Sequence, residues 1–130
     1  YGPRADNNNG IKKLIKSAKT KKKIIYRGNK MAVRRYIHVQ DAAKLSVQIL
    51  SPKFKNKILT ITGRRSIKVY NLMKFISKKL KLKTKSNLFL NEKNTAHYKD
   101  KPTPLERKRG TNLFIKKEKN FKESILKLLK

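Results

Sequence analysis

The sequence predicts a mixed α/β fold. Apolar residues recur at helical spacing over Ile11–Ala18 and again over Val69–Leu80, each stripe backed by lysines. Between them Ile58-Leu59-Thr60-Ile61-Thr62 is a compact, β-branched run stopped by Gly63, the pattern of a short strand. A third stretch, from Gly28 to Asp41, strings together a turn, a basic pair, an alternating apolar segment and a helix start.

Taken in order, Ala5-Asp6-Asn7-Asn8-Asn9-Gly10 is a polar loop, rich in residues that bond their own backbone. Ile11, Leu14, Ile15 and Ala18 then share one helix face, with Lys12, Lys13, Lys16 and Lys19 on the other. A strand over Ile24-Ile25-Tyr26 leads to Gly28-Asn29, two residue types that readily adopt positive φ. The strands on either side of this turn are expected to form a loose hairpin or two neighbouring edges. The second of them is expected over Tyr36, Ile37 and Val39. Asp41, just before Ala42-Ala43-Lys44-Leu45, is the expected helix cap, because a carboxylate can accept the free amides of a first turn.

That helix is expected to end at Ser51-Pro52, where proline disfavours helical geometry in the residue before it. After Gly63-Arg64-Arg65, Ser66 is the expected cap of the helix carrying Val69, Leu72, Met73, Ile76 and Leu80. Beyond it the pattern supports a short strand over Leu88-Phe89-Leu90 and a closing helix over 120–130. Residues 103–119 read as an irregular basic connector.

Composition bounds the function. The 130 residues fit a single domain, but 37% are hydrophobic, below the ~45–50% usual for globular chains. A thin core of this kind is expected to lean on further protein. The formal net charge is +30, from 37 basic and seven acidic residues. Non-specific polyanion binding follows from it, and a small basic nucleic-acid-binding protein is the alternative reading. Lysines number 29 against eight arginines and are spread along the chain. Selective phosphate and base recognition favours arginine's fork of donors, and a coding bias towards Lys, Asn and Ile accounts for the same charge. With no cysteine, disulfides and thiolate chemistry are excluded. No apolar run approaches the ~20 residues needed to cross a bilayer, so no membrane partner is expected and the location reads as cytoplasmic. No metal cluster is apparent.

Four pieces of sequence define a family likeness: Tyr1-Gly2-Pro3-Arg4, the Gly28-Asn29 turn, Arg34-Arg35-Tyr36-Ile37-His38-Val39, and Asp41 followed by two alanines. Together they resemble the C-terminal half of the extended short-chain dehydrogenase/reductases, the NAD-dependent nucleotide-sugar epimerases and dehydratases that include UDP-glucose 4-epimerase. The likeness implies the C-terminal part of a Rossmann-type enzyme with a small substrate-binding lobe.

It also implies that Arg34 contacts the diphosphate of a nucleotide sugar, that Tyr1, Gly2, Pro3 and Arg4 line the approach to the sugar, and that NAD or NADP serves the intact enzyme, a possible homodimer. Lys30 and Arg35 depart from the family pattern, which has glycine and aspartate there. The dinucleotide-binding half, with its glycine-rich turn and catalytic Tyr-x-x-x-Lys, is expected to lie outside these residues. Tyr26 and Lys30 have the Tyr-x-x-x-Lys spacing but span the turn rather than one helix face. No catalytic residue is therefore assigned. His97, in a His-Tyr pair before Pro102, resembles a C-terminal segment of some family members and is given no catalytic role.

Overall fold

The computed structural model describes residues 1–27, 32–82, 88–90 and 110–130. Residues 28–31, with the expected Gly28-Asn29 turn, and the His97 segment lie outside them. The described chain runs α1 (Gly10–Lys21), β1 (Ile25–Arg27), β2 (Val33–Arg35), α2 (Val39–Gln48), a 3-10 turn (Pro52–Phe54), β3 (Leu59–Ile61), β4 (Ser66–Lys68), α3 (Val69–Lys79), β5 (Leu88–Leu90), β6 (Thr111–Leu113) and α4 (Phe121–Leu129).

Helix α1 begins where Asn9, in extended conformation, accepts the Lys12 amide, one of the four amides a helix start leaves unpaired. Its Ile11, Leu14, Ile15 and Ala18 are buried. They meet Val69, Leu72, Met73 and Ile76 of α3, together with Ile24, Ala32 and Ile125, so two amphipathic stripes supply most of the core. Lysines occupy the outer faces of both helices. Leu45, on the inner side of α2, is buried outside this cluster.

The strands pair as three separate two-stranded units. β1 runs parallel to β5 with Ile25 opposite Leu88, β2 antiparallel to β4 with Arg34 opposite Ile67, and β3 parallel to β6 with Leu59 opposite Thr111. Strands β1 and β2, which precede and follow residues 28–31, therefore do not pair with each other among the described residues. The parallel β3/β6 pair brings regular structure into the stretch expected to be an irregular connector. The result is a mixed α/β arrangement with small sheets, compatible with a Rossmann-like domain.

Three local expectations are corrected. β2 is Val33–Arg35, three residues earlier than the aromatic and β-branched run suggests, because its register is set by β4. Tyr36 to His38 continue as extended chain without strand pairing of their own. Helix α2 is capped by His38, whose Nδ1 accepts the Gln40 amide at 3.2 Å, and Asp41 lies inside the first turn. Ser66 belongs to β4, and α3 starts after Lys68 without a side-chain cap. The Val69 amide instead donates to the Ala32 carbonyl at 2.9 Å.

The core makes a contrast that unfolding can read. Ile76→Ala removes a fully buried side chain from the α1/α3 contact and is expected to cost about 3 kcal/mol in urea unfolding. Leu50→Ala, at an 80% exposed position, is expected to change stability by less than about 0.5 kcal/mol.

Candidate functional site

The stretch from Tyr36 to Asp41, extended as far as His38 and helical from Val39, is held from three directions. On one side lies the first residue of the chain. The Tyr1 backbone nitrogen donates to the Ile37 carbonyl at 2.9 Å, and the Val39 amide donates to the Tyr1 carbonyl at 2.8 Å. These two bonds bracket His38 as a parallel strand pair would. The contact requires a glycine next in line, since a Cβ on Gly2 would stand 2.5 Å from Val39 Cγ1. From a second direction comes Gly63, after β3, where a Cβ would overlap the Tyr36 carbonyl.

The third support is the segment leading into α4. The Lys119 amide donates to Asp41 Oδ2 at 2.9 Å across 78 positions, and Asp41 is only 1% exposed. A buried acceptor needs such a donor, because losing water without replacing it costs roughly 1–3 kcal/mol. Glu118 accepts the Arg64 amide at 3.2 Å, while the Arg64 guanidinium donates to the Ile115 carbonyl at 3.3 Å and lies over the Phe114 ring. Asn120 then caps α4 by accepting the Glu123 amide at 3.3 Å. Phe121, the first residue of that helix, stacks on Tyr36 and meets Tyr1 edge-on, and Tyr1 in turn meets His38 edge-on. Such packing geometries are favoured by the ring quadrupoles.

Titration follows from this enclosure. Burial pushes the Tyr36 hydroxyl up to about 12, with Arg34 opposing and Tyr26 reinforcing the shift. Burial also raises the Tyr1 phenol, opposed by a hydrogen bond with Ser124 and reinforced by Asp41 and Glu118. His38 is held below its ordinary value of 6.5, first by burial and further by Lys119, the chain's α-amino group and Lys127, against the pull of Asp41.

The five residues implicated by the family likeness fall in different places. Tyr1, Gly2 and Pro3 line a cleft of about 280 Å³ with Asn9, Ile11, Ile15, Leu128 and the rim lysines Lys12, Lys16 and Lys19. Arg4 is exposed and does not line it. Arg34 is half-buried in the middle of β2, and its Nη1 donates to the Val33 carbonyl at 2.9 Å. It too lies outside the cleft. What joins the two sets is the backbone pairing of Tyr1 with 37–39 and the ring contacts from Tyr1 through Phe121 to Tyr36, two residues beyond Arg34. Arg35, on the opposite strand face, reaches Ser66 Oγ at 3.5 Å.

Phe121, Lys119 and Ser124 are the contributors that sequence reasoning misses. The spacing of Asn120 and Glu123 is a cap signature that marks where α4 starts, but nothing local ties that helix to Tyr1 or Asp41. The residues do not fit a dinucleotide cradle. The glycines are isolated along the sequence, and the one after β3 leads into β4 rather than into a helix start, whereas a pyrophosphate needs a glycine-rich turn opening a helix. Among the described residues no cluster of His, Asp or Glu could hold a metal ion, and no helix is long and apolar enough to cross a membrane.

In fold and site the chain is thus an α/β protein in which an N-terminal Tyr-Gly-Pro is laid beside a basic strand and the helix that follows it. Residues 1–61 match the model of the NAD dependent epimerase/dehydratase family; that stretch reaches from the Tyr-Gly-Pro-Arg segment through the end of β3. No curated protein and no solved structure gave a match.

The His38 cap has a pH signature. Its folded pKa is depressed, so the stability it contributes is present above the ordinary histidine value and is lost as pH falls through the lowered one. Protonation also takes away the Nδ1 acceptor used by Gln40. His38→Asn keeps a capping acceptor and removes the titration. It is expected to flatten the fall in unfolding free energy between about pH 7 and about pH 5, measured by urea titrations at each pH.

Proposed function

We propose that this chain is the substrate-binding portion of an NAD(P)-dependent nucleotide-sugar epimerase or dehydratase of the UDP-glucose 4-epimerase type, corresponding to the C-terminal half of such an enzyme. The observation that carries the reading is the direct pairing of Tyr1 with Ile37 and Val39. It brings the Tyr-Gly-Pro-Arg stretch and the Arg-Arg-Tyr-Ile-His-Val stretch, the two pieces of the family likeness, onto one wall of the fold. The family match over 1–61 spans both.

In this reading Arg34 holds the diphosphate. Its position on a short strand fixes the side-chain root, and a guanidinium presents paired donors that suit phosphate oxygens. The neighbouring Tyr36 hydroxyl, with its pKa raised to about 12, stays protonated at neutral pH and is a donor rather than a base. Tyr1, Gly2, Pro3 and Arg4 line the approach of the sugar. Hydride transfer belongs to a dinucleotide held by residues beyond this chain, so the 130 residues alone bind substrate without turning it over. NAD chemistry would enter through that other part.

The nucleic-acid alternative rests on charge alone. Lysines lie on the outer faces of α1 and α3, with Lys12, Lys16 and Lys19 on the rim of the cleft, and no arginine-lined track joins them among the described residues.

Calorimetric titration of the chain with UDP-glucose tests the assignment. Arg34→Ala is expected to weaken binding by about tenfold or more, with far-ultraviolet circular dichroism unchanged. Arg65→Ala, at an exposed position after β3, is expected to leave it unaltered. Equal losses from both substitutions would reduce the interaction to general charge attraction, and unchanged binding in Arg34→Ala would remove the diphosphate role.

A further inference from the structure

Helix α4 is docked by one set of contacts and meets the substrate wall with another. Its anchor is Ile125, fully buried in the core cluster, on which Leu128 and Leu129 also pack. The helix start is fixed by the Asn120 cap, by the Ser124 hydroxyl donating to the Asn120 carbonyl at 2.8 Å, and by the bond from the Lys119 amide to Asp41. Phe121 lies one turn before Ile125 on the same helix face and is only partly buried. Its ring stacks on Tyr36, with centroids 5.5 Å apart and planes 20° from parallel, and meets Tyr1 edge-on at 5.2 Å. The helix is thus held in place by groups other than the ring it lends to the wall.

Tyr36 connects that ring to Arg34. Extended chain returns every second side chain to the same face, so Arg34 and Tyr36 share one side of their segment and Arg35 takes the other. The residue opposite Arg34 in β4 is Ile67, which packs on the core cluster, so the shared side is the inner one. The guanidinium acts on the phenol there, opposing the upward shift that burial imposes, while Tyr26 reinforces it. The cover that Phe121 gives this pair comes from beyond residues 1–61, the stretch that matches the family.

We infer that Phe121 is a positioning residue of the substrate site: stacked on Tyr36, it fixes that ring on the Arg34 side of the wall and so sets the affinity for the diphosphate without touching it. This deepens the function proposed above and rests on it. Two features select positioning over filling. Any apolar side chain fills space, but only a ring holds another ring's plane, because the quadrupoles favour particular relative orientations. The plane of Tyr36 in turn fixes where its hydroxyl, at the far end of a rigid ring, is presented beside Arg34. The anchoring of α4 through Ile125 also makes Phe121 dispensable for docking the helix, so the ring's contribution is separable from the fold.

Two readouts on the full chain test this, one of them free of ligand. The first follows the Tyr36 Cζ signal by nuclear magnetic resonance from about pH 8 to about pH 11, the range in which an ordinary phenol titrates. In the unaltered chain Tyr36 is expected to stay silent, since its pKa lies at about 12. In Phe121→Ala it is expected to titrate within that range. The second is calorimetric titration with UDP-glucose at neutral pH, where Phe121→Ala is expected to weaken binding by about fivefold. Leu129→Ala, which trims the same core cluster roughly two turns along α4, is expected to lower stability and leave both readouts unchanged. Phe121→Leu keeps apolar bulk without a ring face. It is expected to stay folded and to fall between Phe121→Ala and the unaltered chain in both readouts.

Tyr36 still silent in Phe121→Ala, or equal losses of affinity in Phe121→Ala and Leu129→Ala, would overturn the proposal and leave Phe121 a packing residue. Unaltered readouts in Phe121→Leu would overturn it in favour of apolar filling. If Phe121→Ala unfolds, the leucine variant decides by the same two readouts. No binding of UDP-glucose by the unaltered chain would remove the diphosphate reading itself, and the Tyr36 titration would then decide alone whether Phe121 fixes that ring.

Discussion

The carboxylate of Asp41 sits almost wholly out of contact with water and accepts the backbone amide of Lys119, 78 positions away. That bond joins the start of α2 to the segment that enters α4, and the rest of the site depends on the join. With Lys119 in place, Phe121 reaches the gap between Tyr36 and Tyr1. With Tyr36 covered from that side and Gly63 pressed against its carbonyl from another, the extended chain from 36 to 38 lies where Tyr1 can pair with it. A hydrogen bond to a charged acceptor contributes about 1.5–3 kcal/mol, a large fraction of the few kcal/mol by which a domain is stable.

This arrangement explains how a chain with so thin a core and so much positive charge holds a defined surface. Among the described residues eleven buried apolar side chains make one cluster between α1, α3 and α4, and the lysines project outward, where they repel one another across solvent and are screened by salt. The wall built from Tyr1–Pro3 and residues 36–39 lies beside that cluster and is fixed by backbone bonds and close glycine contacts. Main-chain pairing is insensitive to the charge of the side chains around it. A lysine-rich exterior is compatible with a precise wall for that reason.

Helices were legible in the sequence because their evidence is local. The stripe Val69, Leu72, Met73, Ile76 predicts α3 and is buried as expected, and the same holds for Ile11, Leu14, Ile15 and Ala18 in α1. Residues 88–90 form a strand as their composition suggests. The errors fall where distant partners decide. Tyr36 and Ile37 have strand-forming side chains, yet β4 pairs with Val33–Arg35 and leaves Tyr36 to stack on Phe121. Asp41 has the chemistry of a cap, yet Lys119 claims its carboxylate and His38 takes the capping role. Of the candidate site, the Tyr-Gly-Pro and Arg34 stretches could be picked out by likeness. Their pairing through Tyr1 and their closure by α4 could not, since no spacing within either stretch encodes a contact made from the other end of the chain.

Native-state hydrogen exchange on the intact chain and on Asp41→Ala tests this dependence most directly. Removing the carboxylate is predicted to speed exchange of the Lys119 amide, which bonds to it, and of the Val39 amide, which bonds to Tyr1, by a similar factor, while the amides of α3 keep their protection. Acceleration at Lys119 alone, with Val39 unchanged, would show that the N-terminal pairing stands without the Asp41 bond and would contradict the account.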